Sequence, residues 1–148
     1  MQLTQFTDYS LRVLIYITTK NDICTISEIA ESYQVSRNHL VKVVHRLGIL
    51  GYLNTIRGNK GGVKLSRSAN MINIGKLVES IEPNFNIVEC FDKINGKCCI
   101  IPVCKLKVIL EKAKKDFIDT LNQYSLADLV ENKTELASHL KIKNTNAK

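Results

Sequence analysis

Four of the five cysteines, Cys90, Cys98, Cys99 and Cys104, fall within fifteen consecutive positions. Thiols this dense, in a segment that also carries Lys, Asn, Asp and Gly, read as soft-metal or redox chemistry rather than as small buried hydrophobes. Cys90, Cys98 and Cys104 are spaced C-x7-C-x5-C. On a flexible loop, three such thiolates can converge on one soft metal centre. Three uses compete. One is an iron–sulfur cluster held by three cysteines and one further ligand. Another is a structural zinc site, although zinc sites usually show the C-x2-C pairs that this sequence lacks. The third is a thiol switch in which Cys98, Cys99 or Cys104 forms a disulfide on oxidation. Cys104 falls near the start of an expected helix, where the helix dipole favours a thiolate. Cys24 stands alone and is assigned to the core. No C-x-x-C motif and no Ser/His/Asp set supports an enzyme such as a thiol oxidoreductase.

A second constellation is electrostatic. Residues 34–67 hold seven Lys or Arg and no Asp or Glu, in a chain of net charge +7. Such a run favours a polyanionic partner. Within it, Leu40, Val43, Val44 and Leu47 repeat at helical spacing, which predicts a helix over about 37–48 opened by Ser36 as its N-cap. Arg37, Asn38, His39, Lys42 and Arg46 lie wholly or partly off that buried face. The first three are where a helix-turn-helix points at base edges, and Lys42 and Arg46 are placed to meet phosphates. Tyr52 to Ile56 and Val63 to Leu65 are β-prone, and the glycine-rich turn between them carries Arg57 and Lys60. This predicts a hairpin whose basic tip can approach a groove or backbone closely.

The surrounding elements fit that use. Apolar positions over residues 3–19 predict a first helix. Thr25-Ile26-Ser27-Glu28 fits a capping box ahead of a short helix at 26–33. Helix, short helix, turn, helix and basic hairpin is the order of a winged helix-turn-helix. A short amphipathic helix at 73–82 follows, closed by Pro83. Residues 105–124 predict a long helix with a seam of Leu106, Leu110, Ala113, Phe117, Leu121 and Tyr124, suited to pairing with a second helix. The expected fold is therefore mainly α with a small β-hairpin. Its organisation is a winged helix-turn-helix at 1–82, a cysteine loop at 83–104, a dimerisation helix and short C-terminal helix at 105–131, and a polar flexible tail at 132–148. A chain of 148 residues, 45% of them hydrophobic, suffices for one core with an appendage. No basic region precedes an apolar run near Met1, and no window approaches the roughly 18 apolar residues of a membrane span. A cytoplasmic location without membrane contact is expected, where stable disulfides are rare.

The sequence resembles the NsrR and IscR type of winged-helix regulators, the NsrR type most closely, over about residues 1–135. The resemblance rests on Leu3-Thr4-Gln5-Phe6-Thr7-Asp8-Tyr9-Ser10-Leu11-Arg12, on Ser36-Arg37-Asn38-His39-Leu40-Val41-Lys42-Val43, and on Arg57-Gly58-Asn59-Lys60-Gly61-Gly62. Its most specific piece is Cys98-Cys99-Ile100-Ile101-Pro102-Val103-Cys104, matching C-x-I-x-P-x-C; Ser125-Leu126-Ala127-Asp128-Leu129 adds to it. The resemblance implies a homodimeric repressor that senses nitric oxide and binds a palindromic operator in double-stranded DNA. It implies an iron–sulfur cluster, usually 4Fe–4S in that family, with 2Fe–2S as the other type. It assigns Cys90, Cys98 and Cys104 as ligands, Asp8 of the partner subunit as the fourth, and Arg12 as a supporting hydrogen-bond donor. The sequence departs from the NsrR type in two places and from the IscR type in one. Seven residues separate the first two ligands instead of five. Cys99 is an extra thiol that could replace Cys98. Lys107 stands where the IscR type has a histidine. The alternatives are a winged-helix regulator of the same family that responds to iron–sulfur status or to redox through thiols, and a zinc-stabilised DNA-binding protein.

Overall fold

The computed structural model describes residues 2–92, 94 and 96–142. Helix α1 (Gln5–Lys20) starts at Thr4, whose hydroxyl accepts from the Thr7 amide, and ends at Asn21 in the left-handed conformation. Helix α2 (Ile26–Tyr33) carries the expected capping box: Thr25 and Glu28 each bond the other's backbone amide. Glu28 also accepts from Lys20 Nζ at 2.6 Å, which ties the start of α2 to the end of α1. Burial raises the Glu28 carboxyl, but the bonds from Lys20 and Thr25 outweigh it and hold it below its ordinary value.

Helix α3 (Arg37–Ile49) buries Leu40, Val43, Val44 and Leu47, the four positions expected from its periodicity. Ser36 occupies the N-cap position, but its hydroxyl makes no capping bond. The Ser36 carbonyl instead takes the His39 and Leu40 amides, and the side chain stays exposed. Strands β1 (Leu53–Ile56) and β2 (Gly62–Leu65) pair antiparallel, with Leu53 opposite Leu65 and Ile56 opposite Gly62. The hairpin is fastened to the body where Val63 exchanges two backbone bonds with Cys24, at 2.9 and 2.7 Å. A Cβ on Gly62 would stand 2.5 Å from the Cys24 carbonyl oxygen, so only glycine permits this approach. Cys24 itself is buried in the core, and that burial pushes its thiol up to about 12.

Helix α4 (Ile74–Ile81) buries Ile74, Leu77 and Val78 and is capped by Asn73. Beside it, Ile74 N donates to Tyr124 O at 3.0 Å and Leu126 N to Ile72 O at 2.8 Å, a short β-like clasp. The clasp holds the end of helix α5 (Lys105–Leu121) against α4, with Gly75 directly under Asn122. Only Ile118 of α5 is buried. Of the expected seam, Leu110, Phe117 and Leu121 are half-buried and Leu106, Ala113 and Tyr124 are exposed. Leu106 and Ile109, at 61% and 63% exposure, stand in the open at the helix's N-terminal half.

The polar tail expected from residue 132 differs from what is found. Residues Lys133–His139 form helix α6. Leu136, Leu140 and Ile142 dock it on the core, and Ser32 Oγ donates to the Leu140 carbonyl at 2.6 Å. Residues 143–148 of the expected tail lie outside the described residues. Among the described residues no helix is long and apolar enough to cross a membrane.

Leu47 is fully buried on the face that fixes α3 to α1 and α2. Leu47→Ala is expected to cost about 2–5 kcal/mol in urea unfolding through cavity formation. A loss within experimental error would mean that α3 is not held by this face.

Candidate nucleic-acid interface and metal centre

The polar face of α3 is turned to the surface. Ser36, Arg37, Asn38, His39, Lys42 and Arg46 are all exposed. Arg37 is steadied at the helix start by a bond from its Nε to Ser27 Oγ at 3.2 Å. Lys42 and Arg46 are one turn apart, so their charges fall on neighbouring positions. Arg57 and Lys60 are exposed at the hairpin tip, where Gly58 has φ 111°. Arg67 of the basic run is exposed as well, with its guanidinium 5.3 Å over the Tyr52 ring and donating to the Gly51 carbonyl at 2.8 Å. These cations and donors, on one helix and one hairpin of a rigid core, can neutralise a phosphate backbone while presenting groups to base edges.

The thiols lie on a different segment, between α4 and α5. Cys90 is half-buried in a 3-10 turn at Glu89–Phe91. The loop then folds back on itself: Gly96 N donates to the Asp92 carbonyl at 3.0 Å and Lys97 N to Glu89 Oε1 at 3.1 Å. Cys98 and Cys99 follow, both exposed. A second 3-10 turn, Ile101–Val103, leads to Cys104, which caps α5 with its Sγ accepting from Lys107 N at 3.4 Å. Asp8 and Arg12 lie on α1 and form a bidentate pair, with Nε to Oδ1 at 3.1 Å and an Nη nitrogen to Oδ2 at 2.9 Å. Both side chains remain about two-fifths exposed (44% and 43%). The Arg12 guanidinium is flanked by the rings of Tyr9, at 5.9 Å, and Tyr33, at 5.7 Å. Burial pushes the Tyr33 hydroxyl up to about 12, partly countered by Arg12, so Tyr33 serves as a neutral wall.

Three thiols and a carboxylate form a donor set that suits an iron–sulfur cluster with one oxygen ligand. One chain does not assemble it: among the described residues, no three His, Cys, Asp or Glu side chains come together to hold a metal ion.

Three further residues matter that sequence spacing does not mark. Glu82, at the exit of α4, accepts from Thr4 N at 3.2 Å, from Thr4 Oγ1 at 3.1 Å and from Thr7 Oγ1. It joins the head of the cysteine segment to the first turn of α1. Tyr9 packs its ring 6.3 Å from that of His39, tilted by 33°, and so joins α1 to α3. Gln5 Nε2 donates to the Tyr9 hydroxyl at 3.0 Å.

Comparison with known proteins gives a consistent result. Residues 3–132 match the Rrf2 family, described as an iron-dependent transcriptional regulator. The chain is 48% identical to the HTH-type transcriptional regulator NsrR of Bacillus subtilis, over 97% of this chain and 99% of the relative. It is 46% identical to the NsrR of Bacillus licheniformis, over 92% and 96%. Among solved structures, T. potens IscR superposes with a TM-score of 0.72 at 20% identity, covering 92% of this chain and 90% of the other. CymR, titled the global cysteine regulator of B. subtilis, superposes with a TM-score of 0.67 at 21% identity, covering 89% and 98%. The two solved structures bear on the fold alone.

Glu82→Ala removes the acceptor of the Thr4 amide and leaves the fully buried Thr7 hydroxyl only the Thr4 hydroxyl, at 3.1 Å, as a partner. A loss of about 1–3 kcal/mol in urea unfolding is expected, with faster amide exchange at the start of α1. Unchanged exchange there would show that Glu82 does not hold that turn.

Proposed function

We propose that this chain, which belongs to the Rrf2 family of transcriptional regulators and matches its NsrR members over nearly their whole length, is a homodimeric repressor whose grip on DNA is set by nitric oxide through an iron–sulfur cluster. It is a DNA-binding winged-helix regulator and not an enzyme. The observation that carries the finer reading is the full donor set, three thiols on one segment and Asp8 with its Arg12 partner on α1, in a chain that does not bring them together by itself. In this reading a second subunit would supply the Asp8 carboxylate.

In this reading Cys90, Cys98 and Cys104 of one subunit and Asp8 of the partner subunit hold the cluster, either 4Fe–4S or 2Fe–2S. When bound, it supplies iron with which nitric oxide reacts. The chain's own residues do the rest. Arg12, held between Tyr9 and Tyr33, fixes the direction of the Asp8 carboxylate and keeps a hydrogen bond on it. Glu82 fastens the head of the cysteine segment to the turn just before Asp8, so movement of either is felt by the other. The uncovered apolar face of α5 pairs with its twin and sets the spacing of two recognition helices on a palindromic operator. Arg37, Asn38 and His39 read bases there, while Lys42, Arg46, Arg57 and Lys60 hold phosphates. Ser36, uncapped and exposed, is free to donate to DNA. A second reading, a thiol-based response, draws on the adjacent exposed thiols of Cys98 and Cys99.

Two measurements separate these readings. For anaerobically purified protein on an operator selected from random duplexes, nitric oxide is expected to weaken binding about 5- to 150-fold. Cys104→Ser is expected to abolish both the bound iron and that response. Retention of iron and response in Cys104→Ser contradicts the cluster reading. Separately, Lys60→Ala is expected to weaken binding to every duplex and to flatten the salt dependence by about one unit of slope, whereas Arg37→Ala should cost about 1–3 kcal/mol at one base position. Loss confined to one sequence would remove Lys60 from the phosphate contacts.

A further inference from the structure

We propose that the cleft between the first turn of α1 and the recognition helix α3 seats one sugar–phosphate unit of the DNA backbone, making Gln5 and Tyr9 DNA contacts outside the helix-turn-helix. The inference rests on the reading of α3 as the recognition helix. The cleft has a volume of about 120 Å³ and is lined by Gln5, Phe6, Tyr9, His39, Lys42 and Val43. Its two parts differ in chemistry. Phe6 and Val43 form an apolar floor that suits the carbons of a deoxyribose. Around them stand four donors: the Gln5 amide, the Tyr9 hydroxyl, the His39 imidazole and the Lys42 ammonium.

The rim is already organised. Gln5 Nε2 donates to the Tyr9 oxygen at 3.0 Å, which leaves the Tyr9 hydroxyl proton free to donate outward. The Tyr9 ring packs beside His39, so side chains from two helices hold the same opening. The charge balance suits an anion. Lys42 belongs to a run of residues without a single acid, and the acid nearest along α1, Asp8, is paired with Arg12 at 2.9 Å. A recognition helix lying in the major groove is flanked by sugar–phosphate chains, and half to two-thirds of protein–DNA hydrogen bonds go to phosphate and sugar. The cleft opens beside the turn of α3 that carries Asn38, His39 and Lys42. A backbone strand bordering that groove therefore passes over it.

The test uses the whole chain, fluorescence anisotropy and a mixed-sequence duplex without an operator, because a backbone contact is indifferent to sequence. Gln5→Ala and Tyr9→Phe, the latter keeping the ring stack, are each expected to weaken binding about 3- to 10-fold at every salt concentration. Neither removes a charge, so the salt slope is expected to stay that of the parent, whereas Lys42→Gln should lower it by about one unit. Combining Gln5→Ala with Lys42→Gln should lose less than the product of the single losses, since both engage one phosphate. Parent-like affinity in Gln5→Ala and Tyr9→Phe, with Lys42→Gln and Lys60→Ala still weakened, overturns the seat and leaves the winged-helix reading standing. A loss that merely tracks a fall in melting temperature also overturns it. Failure of the parent chain to bind any duplex overturns the reading of α3 as well.

Discussion

The carboxylate of Glu82 is the contact on which the arrangement of both candidate sites depends. It sits where α4 ends and the cysteine segment begins, and it accepts bonds from the backbone and hydroxyl of Thr4 and from the hydroxyl of Thr7. A carboxylate at a helix N-terminus is favoured both by the unpaired amides there and by the helix dipole. Thr7 is fully buried, so its hydroxyl needs an acceptor inside the protein. The helix thus fixed carries Asp8 and Arg12 on one turn and packs along α3 through Tyr9 and its buried apolar face. One acid therefore ties the thiol segment to the helix that carries the carboxylate donor, and apolar packing holds the recognition helix on that helix.

Much of this was legible from local pattern. The buried stripe of α3, the capping box of α2 and the glycine-rich hairpin each follow from rules that act within a few residues. The contacts that escaped are long-range or sparse. The partners of Glu82 lie 75 and 78 positions away, and no spacing announces them. Helix α6 brings only Leu136 of its own to the core, with Leu140 and Ile142 just beyond its end, too weak a periodicity to stand out in a polar stretch; tertiary docking and the Ser32 bond supply what local pattern lacks. Ser36 was legible as a cap by type, but the backbone carbonyl takes the first-turn amides and leaves its hydroxyl exposed. At the candidate metal site the donor types were legible and their assembly was not: among the described residues of one chain no three of them come together.

The first half of α5 leaves apolar surface uncovered. Leu106 and Ile109 stand in the open, and Val103 just before the helix is 80% exposed. A mixed cavity of about 450 Å³ opens where the second half of α5, through Phe117, faces Leu3, Phe85 and Ile87 together with Gln2, Asn84 and Asn86. Apolar area of this kind on a small protein costs free energy until another surface covers it. In the proposed dimer a twin α5 would cover this face.

Cross-subunit ligation is the central claim, and a mixed dimer tests it most directly. One chain carries Asp8→Ala and its partner carries Cys104→Ser, each with a different affinity tag, and the tandem-purified heterodimer is reconstituted anaerobically. If the cysteines of one subunit bind with Asp8 of the partner subunit, one site of the pair is complete and the other lacks both contributions. The account then gives one cluster per heterodimer, about four iron and four sulfide for a 4Fe–4S type, while either variant as a homodimer holds none. A heterodimer as empty as both homodimers would place all the ligands within one chain and contradict the account.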